Sequence, residues 1–157
     1  LLLSYMGYGG YLNPFTLEAQ VNTRQPKLRV LTTAAHEIAH QLGYAAEEEA
    51  NFIAIDAAIK SDNAYMQYAG YHLALVYALS ECRKREDIDY QQLYQDIDKG
   101  VIKQYQQLSA FWQNYTNPFE PLFKKSYDTY LKANSQSAGI NSYSLVIGLL
   151  LHHFQND

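Results

Sequence analysis

Two histidines four residues apart, with a glutamate directly after the first, occur at His36-Glu37-Ile38-Ala39-His40. This H-E-x-x-H spacing suits one kind of chemistry, the binding of a zinc ion and the activation of water beside it. In an α-helix, residues i and i+4 lie on one face, roughly 6 Å apart along the axis. His36 and His40 can therefore turn both imidazoles toward one ion. Glu37 is rotated by about 100° from His36, beside the metal and not on it. A general base that takes a proton from attacking water must stand there. The chemistry implied is hydrolysis of an amide.

Two imidazoles leave a catalytic zinc short of ligands, since such a site has three protein ligands and one open position. The chain must supply the third soon or from far away. Gly43 reads as a left-handed helix stop. A new helical pattern then begins, carried by Glu47, Ala50, Asn51, Ile53, Ala54, Ala57 and Ala58. Glu47 falls in its first turn, where a carboxylate suits the helix dipole, and Asn51 lies one turn on along the same face. Around the first helix, Leu31, Ala34, Ala35, Ile38, Ala39 and Leu42 form a contiguous apolar arc. That arc is expected to face a core, leaving His36, Glu37 and His40, with Thr33 one turn earlier, on the side that faces a site.

Glu47-Glu48-Glu49-Ala50-Asn51 resembles the E-x-x-A-D element of gluzincin metallopeptidases. Carried over by that resemblance, Glu47 is the third zinc ligand. Asn51 is then the outer partner that orients a ligating histidine, although the family has Asp there. The interval from His40 to Glu47 is also shorter than in most gluzincins. Glu48 stays open as the alternative ligand; otherwise Glu48 and Glu49 read as a solvated first turn. The metzincin pattern would need a histidine where Ala46 stands, and fails there. The longer run from Tyr11 to Asn22, followed by HEIAHQLGYAAEEEANF, is similar to the DUF3810 family of bacterial zinc-metallopeptidase-like proteins. The similarity extends through Lys132–Gln136 and Ser142-Tyr143. It implies a zincin-like helical domain with a small β element before the H-E-x-x-H helix. It also implies Zn2+ as the cofactor and a peptide or protein as the substrate. Family members carry hydrophobic spans before this region. The full-length protein is therefore expected at a membrane, held only by a segment outside this chain.

The length of 157 residues suits one domain with a sizeable core. The chain starts at Leu1 and reads as a soluble fragment that lacks an upstream anchor. A net charge of −4 argues against a nucleic-acid partner. Cys82 is the one cysteine, which rules out an intrachain disulfide framework and leaves it a structural thiol. Tyrosine is abundant, at 15 residues, and most of these rings read as helix-packing groups. No stretch reaches the roughly 20 apolar residues of a spanning helix; residues 145–151 read as a buried helix.

The elements that must position the site follow from the pattern. Residues 5–11 are glycine-rich and read as irregular, and Asn13-Pro14 as a turn. Residues 15–22 read as a strand that forms one wall of the cleft and offers an edge to an extended peptide. Pro26 suits the first turn of the active helix, which ends near residue 42. Further helices are expected at 46–60, 64–83, 89–96, 97–115, 119–133 and from 141 or 142 to 154, with a loop at 134–140. The fold class is mainly α with a small N-terminal β element.

An oxyanion formed during peptide hydrolysis needs a donor. Tyr143, Tyr71 and His72 are the candidates, with Tyr143 first because it follows a loop in the family-like region. His72 otherwise reads as a satisfied core histidine, and His152-His153 as surface or frayed-end residues. Gln41 and Thr33 flank the ligands and line the cleft. The leading reading is a zinc metallopeptidase. Its competitors are a metal-binding sensor or interaction domain that cleaves nothing, and a helical module with a chance motif.

Overall fold

The computed structural model describes residues 2–117 and 143–156. Among these residues the chain is mainly helical, with one antiparallel hairpin near its N-terminal end. After a single turn, α1 (Leu2–Tyr5), strand β1 (Gly10–Leu12) pairs with β2 (Ala19–Val21). Tyr11 stands opposite Gln20. The strand expected over 15–22 is thus only its last part, and its partner is the stretch that reads as irregular. The Asn13 side chain explains the difference. It accepts from the backbone N–H groups of Phe15 and Thr16 at 2.9 and 3.3 Å, which folds the next residues into a turn. Leu17, at φ 55°, closes that turn before the strand begins.

The helices are α2 (Lys27–Gln41), α3 (Glu47–Ile59), α4 (Ala64–Cys82), α5 (Tyr90–Gln95), α6 (Lys99–Gln113) and α7 (Tyr143–Asn156). Residues 119–140, expected as a helix and a loop, lie outside the described residues. Capping follows side-chain chemistry. The Asn63 carbonyl oxygen accepts from the N–H groups of Tyr65 and Met66, and Asp89 and Asp98 start α5 and α6 in the same manner.

The core forms where α3, α4 and α7 meet. Ile55, Leu73, Tyr77, Val146 and Leu150 are its buried cluster. α3 is its central element, since Ala50, Ala54 and Ala58 are fully buried and α2, α4 and α7 all pack on it. Small side chains let these helices approach closely. His153 does not fray at the end of α7. Its Nε2 lies 3.0 Å from an Asp56 carboxylate oxygen and its ring meets Phe52 edge-on, so it pins α7 to α3.

The apolar arc of α2 is buried only in part, fully at Ala39 alone. Ile38 is 48% exposed and Leu42 71%, whereas Thr32, Thr33 and Glu37 are buried. The hairpin packs on α2 and covers the polar face, so tertiary packing overrides the helical pattern. No helix among the described residues is long and apolar enough to cross a membrane.

α2 ends in a Schellman turn. The Gly43 N–H donates to the His40 carbonyl at 3.0 Å and the Tyr44 N–H to the Ala39 carbonyl at 3.1 Å. Gly43 has φ +105°, and a Cβ there would meet nothing within 4 Å. The cost of any side chain at this position is therefore backbone strain alone. Gly43→Ala is expected to lower unfolding free energy by about 1–2 kcal/mol in denaturant titration. An unchanged midpoint would mean the turn does not need this conformation.

Candidate metal centre

α2 sets the His36 and His40 rings edge-to-face, with centroids 4.5 Å apart. Their Nε2 atoms lie 3.0 Å from each other. The turn at Gly43 then reverses the chain, and Glu47, the first residue of α3, returns to the pair. Its carboxylate oxygens lie 3.3 Å from His36 Nε2 and 3.6 Å from His40 Nε2. Zinc bonded to nitrogen or oxygen at about 2.0–2.2 Å in a tetrahedron holds neighbouring ligand atoms roughly 3.3 Å apart. Separations of 3.0, 3.3 and 3.6 Å bracket that edge length, so the donor set fits a zinc-sized cation. Side-chain exposures of 14% for the histidines and 19% for Glu47 leave the cluster reachable from solvent. Glu37 completes the group: His36, Glu37 and His40 each place one donor atom within 4.8 Å of the others.

Electrostatics binds the cluster together. Burial pushes the Glu47 carboxyl upward, but hydrogen bonds and charge from His36 and His40 outweigh it and hold the group well below the usual range. Burial pulls His40 down, but the Glu47 carboxylate and the Tyr44 carbonyl outweigh it and raise that imidazole. Lone pairs facing one another require a positive charge between them. Protons on the imidazoles meet that need without a metal, and a divalent cation would meet it as well. Glu37 differs from Glu47. Burial raises its carboxyl from 4.5 to about 7, with the Glu47 charge adding and His40 opposing. The two carboxylates of the cluster are thus driven in opposite directions.

His40 Nδ1 donates to the Tyr44 carbonyl at 2.7 Å. In the neutral ring this fixes the tautomer, leaving the Nε2 lone pair directed at the cluster. The orienting partner is therefore a backbone group on the Gly43 turn, not Asn51. Asn51 is buried one turn beyond Glu47 on α3. It bonds neither imidazole, because the turn brings the Tyr44 carbonyl to His40 before α3 begins. His36 Nδ1 is buried with no hydrogen-bond partner among the described residues.

The hairpin forms the wall over Glu37. A Cβ on Gly10 would lie 2.7 Å from a Glu37 carboxylate oxygen and 2.8 Å from the Gln20 carbonyl. Only glycine lets β1 lie this close, and that closeness buries the carboxyl. Gln25, just before α2, and Thr33 on it hold the chain entering β1: the Gln25 amide donates to the Gly9 carbonyl at 2.8 Å and reaches Thr33. At the other end of the hairpin, the Gln41 amide donates to the Leu17 carbonyl at 2.8 Å. Gln41 and Thr33 are thus clamps for the hairpin. Tyr8, just before β1, is half-buried, and burial together with the nearby Glu47 charge raises its phenol. Sequence reasoning missed Tyr8, Gly10 and the Tyr44 carbonyl. The Gly7-Tyr8-Gly9-Gly10 run was the available signal, since such glycines mark close backbone approach.

The other candidates separate. Tyr71 is 56% exposed. Tyr143 begins α7, and its side chain lies outside the described residues. His72 is buried on α4 as expected, but among the described residues its Nε2 has no hydrogen-bond partner, so within them it is not a satisfied core histidine. Glu48 is half-buried and Glu49 exposed in the first turn of α3. Neither has an ion pair with the imidazoles.

Residues 1–151 match the family described as protein of unknown function (DUF3810), and the chain belongs to that family. No curated protein and no solved structure matches the chain.

The raised Glu37 carboxyl has a consequence for the metal-free protein. The folded state binds its proton more tightly than the unfolded state, so the favourable contribution is complete below 4.5 and is lost as pH rises through about 7. In chelator-treated protein, Glu37→Gln is expected to raise Tm relative to wild type more at pH 8 than at pH 5. Equal differences at both pH values would show that burial does not shift this carboxyl.

Proposed function

We propose that this member of the DUF3810 family is a zinc-dependent metallopeptidase. The observation that carries the reading is the convergence of His36 Nε2, His40 Nε2 and the Glu47 carboxylate at 3.0–3.6 Å beside a buried Glu37. His36, His40 and Glu47 would hold the ion. Zinc bound there supplies Lewis acidity toward water and toward a carbonyl oxygen.

The protein's own groups do the rest. Glu37, poised near neutrality, takes the proton of the attacking water and passes it to the departing amine. The wall made by β1 shields that carboxyl on one side and raises its basicity. The Tyr44 carbonyl keeps His40 in the tautomer that offers Nε2 to the ion. Tyr8, whose phenol senses the Glu47 charge, is the described tyrosine chosen as donor for the oxyanion, ahead of the exposed Tyr71. Tyr143 keeps the support of the family resemblance alone. The hairpin leaves a strand edge without a partner among the described residues, and an extended peptide can pair with such an edge. On the resemblance alone, the whole protein is proposed to be membrane-associated through a segment outside this chain, with a peptide or protein as substrate.

The test is peptide hydrolysis by zinc-loaded wild type, Glu37→Gln and Tyr8→Phe. Glu37→Gln is expected to retain zinc and to lose about 10²–10⁴-fold in kcat. Tyr8→Phe is expected to lose about 10–10²-fold with KM little changed. Full activity in Glu37→Gln would remove the general-base assignment. A zinc-loaded wild type that cleaves nothing in a broad peptide library would favour a non-catalytic metal-binding domain.

A further inference from the structure

The stretch that lies over Glu37 has little stiffness of its own. Three of the four residues in Gly7-Tyr8-Gly9-Gly10 are glycines, and glycine leaves the backbone more freedom than any other residue. Only a three-residue strand follows, Gly10–Leu12. Where Tyr8 and Gly10 stand must therefore be set from outside this run.

One buried side chain is placed to do so. Gln25 is 4% exposed, and its amide joins three segments. It donates to the Gly9 carbonyl at 2.8 Å and to the Asn22 carbonyl at 3.0 Å, so both amide hydrogens are engaged across the open end of the hairpin. The same head group lies 3.4–3.5 Å from the Thr33 hydroxyl. Thr33 is buried one turn before Glu37 on α2. The peptide unit is planar, so a fixed Gly9 carbonyl fixes the plane that carries the Cα of Gly10. Gly10 is the residue on which a Cβ would lie 2.7 Å from a Glu37 carboxylate oxygen. Tyr8 is the other neighbour of Gly9. The approach at Gly9 is itself tight. A Cβ there would lie 2.9 Å from Gln25 Oε1 and 3.4 Å from Thr33 Oγ1. Gly9 does not have a positive φ, so this contact, and not backbone strain, opposes a side chain there.

We propose that Gln25 is a positioning residue for this site, which through Gly9 sets where both Tyr8 and Gly10 stand relative to the reacting groups. Its effect on rate rests on the metallopeptidase reading; its effect on strand placement does not. Displacing a catalytic group by about 1 Å can cost about a hundredfold in rate. An amide that holds the two neighbours of one glycine therefore acts on catalysis without touching the substrate.

The test compares zinc-loaded wild type, Gln25→Met and Gly9→Ala on a peptide that wild type cleaves. Methionine keeps the length of the side chain and removes both donors, and alanine at position 9 pushes the amide from its seat. Each variant is expected to lose about tenfold or more in kcat, with KM and zinc affinity little changed. The double variant is expected to lose no more than the worse single variant, because both changes break one contact. Leu150→Ala, in the core on α7, is the control for a purely structural defect, and is expected to lower Tm with kcat unchanged. Hydrogen–deuterium exchange of chelator-treated protein reads the placement without activity. The amides of residues 8–12 are expected to exchange about tenfold or more faster in Gln25→Met, with α3 unchanged. Circular dichroism establishes folding, and if Gln25→Met does not fold, Gly9→Ala decides. Wild-type kcat in either folded variant would overturn the proposal. So would a zinc affinity that falls with kcat, or exchange raised equally throughout the chain. A wild type that cleaves nothing would overturn the peptidase reading instead, and the exchange result alone would then decide the role of Gln25.

Discussion

Lone pairs that point at one another in a half-buried space need a positive charge among them. His36 Nε2, His40 Nε2 and the Glu47 carboxylate are in that position, separated by 3.0–3.6 Å. Much of the surrounding structure serves to bring them there. The helix repeat supplies two of the donors. The Schellman turn supplies the third, because it reverses the chain within a few residues and starts α3 at Glu47. The same turn gives His40 its acceptor, the Tyr44 carbonyl. α3 must lie close to α2 for this arrangement to close, and its fully buried alanines provide that approach.

The second constraint is the hairpin. A carboxyl beside an anionic Glu47 would stay acidic if water surrounded it. Glu37 does not, because β1 lies on it with a glycine at the point of contact. The hairpin is held at both ends by amide side chains, Gln25 just before α2 and Gln41 at its end. The basicity of one carboxyl thus depends on a backbone contact made 27 positions earlier in the chain, between Gly10 and Glu37. This cooperation also accounts for the exposed Ile38 and Leu42. Covering the polar face of α2 with the hairpin left part of its apolar arc in solvent.

Local features were legible in the sequence and through-space ones were not. The mainly helical class, the turn at Asn13-Pro14 and the stop at Gly43 all follow from residue chemistry within a few positions. The proximity of His36, Glu37 and His40 follows from the helix repeat alone. The contact of Glu47 with both imidazoles depended on a turn whose sign Gly43 indicates. The role expected of Asn51 came from the family element and not from geometry, and a backbone carbonyl does that work for His40. No periodicity could reveal that Gly10 would lie on Glu37, since register and packing of a short hairpin on a helix are tertiary facts. The contact of His153 with Asp56 is likewise set by how α7 docks on α3.

The ligand set is tested most directly by zinc affinity, measured by competition with a chromophoric chelator for wild type, Glu47→Ala and Glu48→Ala. One tight site is expected in wild type, and nearly the same affinity in Glu48→Ala. In Glu47→Ala a loss of about a hundredfold or more is expected, beyond what removal of an outer partner costs. An unchanged affinity in Glu47→Ala, with the loss appearing in Glu48→Ala, would contradict this ligand set.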